Sequence, residues 1–273
     1  MNYFEYTTLT DFKAAKIPGS TGTSDDTLIL DYIREVSKII NDVTGRKFVP
    51  LIATRTFDAN RDAHDGLLLR VDPWDLLAIG TITNGDATAV ASTSYVFEPR
   101  GVTPYWGIRL KSSKGITWTY TDDPEDAISL SACTWGYHDD YANAWESLTT
   151  LGAALNISAT SATLASGVGN PGELWKIDSE YLYLSARTTT TATVVRGVNG
   201  STAATHDNGA TITRWIPVRE VSGLCRAAVA MKYALRENPQ VETLIIDGRT
   251  LSVAKDVTQW IREQVGDLGL KRV

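Results

Sequence analysis

The chain has 273 residues, 43% hydrophobic and 21% charged, with 26 Lys and Arg against 32 Asp and Glu and a formal net charge of −6. This is ordinary globular composition at a length for one large or two modest domains, and the acidic balance disfavours a protein whose main task is gripping a phosphate backbone. No run approaches the ~18 uninterrupted apolar residues of a membrane span, and the opening MNYFEYTTLTDF lacks the basic n-region of a signal peptide, so action in the cytoplasm or in a particle assembled there is expected.

A short helix is expected over 9–17, followed by an amphipathic one in SDDTLILDYIREVSKIINDVTGRKF, residues 24–48. Ser24 reads as its N-cap, with Asp25 and Asp26 in the first turn, where carboxylates meet free N–H groups and the positive end of the helix dipole. Leu28, Ile29, Tyr32, Ile33, Val36, Ile39, Ile40 and Val43 recur at helical spacing. Gly45 stands where a left-handed C-cap is wanted, with Arg46 and Lys47 beside the negative helix end. Residues 51–137 change to short β-type runs: ATRTF, GLLLRV, LLAIGTIT, TSYVFEP, GIRLK, GITWTYT and ISLSACTWGY. Turn chemistry separates them at Asp65-Gly66, Asn84-Gly85, Lys114-Gly115 and Asp123-Pro124.

From 148 to 215 Thr, Ser, Ala and Gly dominate, charge thins out, and turn pairs fall at Asn170-Pro171-Gly172, Asn199-Gly200 and Asn208-Gly209. The strands LNISA, ATLA, LWKID, EYLYLSA, TATVVRG and ATITRW fit between them, which reads as a small all-β module. Helical spacing returns at 217–236, with Pro217 at the first helical position and Pro239 as the stop, and a last helix is expected at 251–265.

The leading helices closed by TGRKF, the run LLLRVDPWDLLAIGTIT, the WGY ending and the Pro-led helix at 217 resemble the head–tail connector proteins of long-tailed bacteriophages, the adaptor subunits that form a ring beneath the portal. The likeness covers residues 7–138 and 217–236. RGVNGSTAATHDNGATI resembles a small β module that recurs in phage structural proteins, so 148–215 reads as an insertion whose ends, Leu148 and Trp215, should lie close together. The resemblance implies an α+β fold: a helical connector core with a short β-strand region and an inserted small all-β domain. The boundaries follow as 1–147 for the N-terminal helices and β region, 148–215 for the module, and 216–273 for the C-terminal helices and tail.

Cys133 and Cys225 are far apart, with no CxxC and no His at metal spacing, so buried thiols are expected in preference to a disulfide. Asp58, Asn60 and Asp62 start like a calcium loop, but the sixth and twelfth positions are Ala63 and Leu69 where Gly and Glu are required. The cluster Asp122, Asp123, Glu125 and Asp126 reads as a hydrated loop or as a contact for a cation or a basic partner. Asp72 and Asp75 flank Pro73-Trp74 and fit turn N–H groups better than acid–base work. His64, His138 and His206 each adjoin an Asp, but no GxSxG and no phosphate loop accompanies them. No catalytic residue, metal ligand or cofactor is expected.

The resemblance implies a twelvefold homo-oligomeric ring at the virion neck, joining the portal to a stopper, tail-terminator or tail-tube protein. Passing genomic DNA would cross an acidic lumen without sequence-specific binding, and no membrane is involved. Trp260, Leu268, Leu270, Lys271 and Arg272 combine an aromatic anchor with terminal basic charge and are the expected portal-binding residues; the competing reading packs that helix on its own subunit. A second functional reading places a carbohydrate- or receptor-binding or decoration role in the β insertion. There Trp175, Tyr181, Tyr183 and Trp215 would either stack on sugar rings or fill the module's core.

Overall fold

Thr8 opens the first helix, α1 (Leu9–Ala14), its hydroxyl accepting the Asp11 N–H at 3.0 Å. The structure is a computed structural model and describes residues 3, 5–15, 17, 20, 22–246 and 248–267. Helix α2 (Asp26–Thr44) turns Ile29, Ile33, Val36 and Ile40 inward, as the apolar stripe requires. Its N-cap is Asp25 rather than Ser24, and the Asp25 carboxylate makes no cap bond. It accepts the Tyr233 hydroxyl at 2.7 Å and faces Arg236 at 3.6 Å, so tertiary partners displace the local cap. Gly45 ends the helix at φ 65°, its N–H bonded to Asn41 O at 2.8 Å.

By Cα packing the chain divides into one unit of Val49–Ala144 and another of Met1–Phe48 with Trp145–Val273. The first holds β1 (Leu51–Phe57), β2 (Ala63–His64), β3 (Leu68–Arg70), β4 (Leu76–Ala78), β5 (Thr81–Thr83), β6 (Tyr95–Glu98), β7 (Gly107–Leu110) and β8 (Ile128–Trp135). Strand β8 pairs with β1 on one edge and with β4 and β5 on the other, and a second sheet runs β2-β3-β7-β6. Their apolar residues share one core that includes Phe57, Leu69, Leu76, Ile108, Leu130 and Trp135. The expected strand in GITWTYT is absent: 115–121 meets the rest of the unit through a bridge from Tyr120 to Gly85, and the Trp118 indole donates to Leu67 O at 2.9 Å.

The second unit contains β9 (Trp145–Thr150), β10 (Ser161–Thr163), β11 (Leu174–Ile177), β12 (Glu180–Thr188), β13 (Thr191–Val195) and β14 (Thr211–Trp215), one antiparallel sheet in the order β10-β13-β12-β11-β14-β9. Two-residue turns with Asp178 at φ 52° and Thr189 at φ 50° set the register of β11–β12 and β12–β13. Trp145 pairs with Trp215, so the chain enters and leaves this sheet side by side. LNISA forms no strand; Leu155 makes only a bridge to His206, and β9 takes the sixth place.

Helix α3 (Arg219–Glu237) runs antiparallel to α2. Its Cys225 thiol lies 3.5 Å from the Ser37 hydroxyl, and the Tyr233 end meets the start of α2. The expected helix at 251–265 needs correction. Residues 249–252 form β16 (Arg249–Ser252) of a hairpin with β15 (Thr243–Ile246), and α4 (Val257–Asp267) begins after Asp256, whose carboxylate accepts the Gln259 N–H at 2.9 Å. Gly248 turns that hairpin at φ 75°.

The expected α+β architecture, a helical core with a short β region and one inserted β domain, is overturned. Among the described residues the fold is mostly β, with sixteen strands in four antiparallel sheets against four α-helices. The β runs in 51–137 are short, yet all but GITWTYT form strands that find partners, so they build two sheets with a core of their own.

Candidate functional site

Two buried ionic clusters fix the second unit. The Glu180 carboxylate at the start of β12 accepts Arg196 Nε and Nη2, both at 2.7 Å, and the Gly197 and Ala204 N–H groups, both at 3.0 Å. His206 bridges Glu180 and Asp178, with Nε2 and Nδ1 each 2.8 Å from a carboxylate oxygen. Burial pushes the Glu180 carboxyl up, but the Arg196, Ala204, His206 and Gly197 hydrogen bonds outweigh it and hold the group below its ordinary 4.5. The RGVNG–AATHD segment is therefore a loop closed on a buried ion pair, and His206 is not paired with Asp207 as a catalytic reading would require.

In the second cluster the Tyr183 hydroxyl donates to both Glu5 oxygens, at 2.8 and 2.7 Å, and Arg34 Nε donates at 2.8 Å. The Tyr3 ring stacks on Tyr183 with centroids 4.0 Å apart, and its N–H reaches Asn199 Oδ1 at 2.8 Å. Burial raises the Glu5 carboxyl above 4.5 in spite of Arg34 and Tyr183. Residues of the N-terminal arm thus join α2 to β12. The TGRKF exit is tied in as well: Phe48 is fully buried, its N–H donates to the Tyr6 hydroxyl at 3.1 Å, and its carbonyl accepts the Trp215 indole at 3.2 Å.

The aromatic platform imagined for the β insertion is not on the surface. Trp175, Tyr181, Tyr183 and Trp215 are all buried, so none of them offers a ring face to a sugar. The exposed tryptophans are Trp74 and Trp106, each 40% accessible, both in the Val49–Ala144 unit. Val71 N–H bonds to Trp106 O at 2.9 Å and Trp74 N–H to Val71 O at 3.0 Å, which brings the two turns together. The Arg55 guanidinium lies 3.5 Å over the Trp74 ring, and Asp72 pairs with Arg70. In the calcium-like turn Arg61 sits 3.0 Å from both Asp58 and Asp62, neutralising the carboxylates. Among the described residues no group of three or more His, Cys, Asp or Glu is placed to hold a metal ion.

Cys133 and Cys225 are buried and unbonded, one in each unit. Burial pushes the Cys225 thiol up to about 12, which makes it an unreactive packing residue. Trp260 is half-buried on α4, whose Ile261 and Val265 are fully buried; Leu268, Leu270, Lys271 and Arg272 lie outside the described residues. A groove of about 400 Å³ opens between α3 and the β15–β16 hairpin, lined by Gly223, Arg226, Ala227, Ile246, Arg249 and Leu251. Sequence reading missed it because the hairpin was not expected; the Asp247-Gly248 pair between two short apolar runs was the available signal.

No family model, no curated protein and no solved structure matches the chain. Among the described residues no helix is long and apolar enough to cross a membrane.

Proposed function

We propose that the chain is a structural adaptor of a bacteriophage neck, a ring subunit that joins the portal to the next stopper or tail component and acts through surfaces without catalysis. The observation that carries this reading is the packing of α2 on α3. These are the segments of the connector resemblance, and they meet antiparallel through Ser37 and Cys225 although both β regions lie between them in the chain. A ring of such chains, each with net charge −6, would present an acidic lumen along which DNA slides without sticking. Portal docking is proposed for the C-terminal segment, with Trp260 as the anchor and Leu268, Leu270, Lys271 and Arg272 behind it.

Mixing the chain with purified portal rings of tailed phages, followed by particle imaging, tests the reading. A stoichiometric ring on one portal face is the expected result, and removal of residues 266–273 should abolish attachment while leaving the fold intact. A stable monomer that ignores every portal tested would sink the adaptor role.

A further inference from the structure

Trp74, Val102 and Trp106 are large apolar side chains left exposed in two turns of the Val49–Ala144 unit, 71–75 and 99–106. Exposed apolar surface gathered in one place marks a binding site, whereas scattered single residues do not. Val71 ties the two turns together: its N–H bonds to Trp106 O at 2.9 Å, and its carbonyl accepts the Trp74 N–H at 3.0 Å. The strands anchor both turns. Leu76 bridges to Tyr105, Gly107 pairs with Arg70, and the Tyr105 ring stacks on Phe97 with centroids 4.2 Å apart. Each exposed indole also has a guanidinium beside it, Arg55 3.5 Å over Trp74 and Arg70 5.7 Å from the Trp106 centroid. The rings are held in place without a ligand, so binding there costs little ordering.

Beside the rings lies a charged pair that is only half used. Arg70 Nε and Nη2 both donate to Asp72 Oδ2, at 3.0 and 2.6 Å. Among the described residues no hydrogen bond or ion pair engages Asp72 Oδ1 or Arg70 Nη1, and both residues are exposed. An acceptor and a donor therefore stand side by side, fixed by their own ion pair, next to two aromatic faces. The surroundings are polar too. Arg100 is exposed in the second turn, and Asp139 and Asp140 are exposed where the Tyr141 N–H meets the Thr103 hydroxyl at 3.2 Å. The core of a protein–protein contact is depleted of charge, which this surface is not. A pyranose ring fits it better, being apolar on its C–H faces and polar all round its rim.

We propose that this surface binds a β-linked hexopyranose chain. Sugar rings lie on Trp74 and Trp106 through their C–H faces, while neighbouring hydroxyls of one ring donate to Asp72 Oδ1 and accept from Arg70 Nη1. A β-linked chain with equatorial hydroxyls suits the site because its C–H bonds are axial, which leaves both faces of each ring flat and apolar. The aromatics of the six-stranded sheet are buried, so the carbohydrate chemistry lies in the other unit. The site goes beyond the adaptor reading and does not rest on it, since α2 and α3 take no part.

Titrating the full-length protein with cellotetraose and with chitotetraose, while following the indole N–H resonances by NMR, tests the proposal. At least one of the two sugars should shift the Trp74 and Trp106 signals and leave those of the buried Trp175 and Trp215 in place. Trp74→Ala and Trp106→Ala should each weaken binding roughly tenfold, the scale of one lost aromatic contact. Trp106→Tyr should retain most of the affinity because a ring face remains, and Asp72→Ala should lower it by removing the acceptor. All four changes are on exposed side chains, and unfolding temperatures should stay at the parent value. No shift with either tetrasaccharide, or shifts that survive both alanine variants, would overturn the proposal. If the parent ignores both sugars and the alanine variants lose portal attachment, the surface is a protein contact; the glycan site then fails and the adaptor reading stands. Sugar binding by a chain that ignores every portal gives the reverse result.

Discussion

Glu180, Arg196 and His206 hold the loop after β13 through charge that water cannot reach, and buried pairs of this kind are costly to break from one side. Arg196→Met leaves the Glu180 carboxylate without its guanidinium, and urea unfolding should register a loss of about 3 kcal/mol or more. The two buried carboxylates also set opposite pH dependences. The folded Glu180 carboxyl lies below its ordinary 4.5, so its contribution is complete above about 4.5 and is lost as pH falls through the lower folded value. The Glu5 carboxyl is raised, so its contribution is complete below about 4.5 and is lost as pH rises through the raised value. Unfolding free energies measured across pH should show a shallower acid-side slope in Glu180→Gln and a smaller decline above about 4.5 in Glu5→Gln. Parent and variants with superimposable profiles would remove these groups as the cause.

At the scale of elements, local chemistry decides some ends and tertiary partners decide others. Gly45 follows the helix-stop pattern in the sequence, and Gly45→Ala at φ 65° should cost roughly 1 kcal/mol in thermal or urea unfolding. Gly169 has no such local signature. A Cβ there, at φ 95°, would collide with the Trp175 ring, so Gly169→Ala is expected to cost more, about 2 kcal/mol, because a buried indole must shift. A smaller loss at Gly169 than at Gly45 would show that the ring moves freely. The hairpin at 243–252 and the late start of α4 were hidden for a related reason. Leu251 and Val253 fit a helical stripe as well as they fit an extended segment, and only the pairing of Leu251 with Leu244 decides between them.

For the whole molecule, the division at Phe48 and Ala144 assigns Val49–Ala144 a core of its own, reaching from Phe57 to Trp135. That stretch expressed alone should fold cooperatively, with dispersed amide resonances and a near-ultraviolet signal from Trp118 and Trp135. A collapsed, undispersed spectrum would show that the unit depends on the rest of the chain. The six-stranded sheet is bound differently. Its Tyr183, with Asn199 in the loop after β13, holds Tyr3 and Glu5, so it shares stability with the helices, and composition alone carried no sign of that.

The sequence by itself determined the long helices, the glycine and Asx turns, and the two stretches rich in strands, because each follows from spacing and backbone preference within a few residues. Part of the Glu180 cluster was legible as well, since Arg196 and His206 sit in a recognisable turn segment, but their carboxylate partner lies across a strand pairing. The tertiary structure alone decided how the short strands combine into four sheets and outweigh the helices. It also decided which tryptophans are buried and where a groove opens between α3 and a hairpin. Those outcomes depend on contacts between residues far apart in the chain, and a short apolar run has no means of specifying its partner until the whole chain has packed.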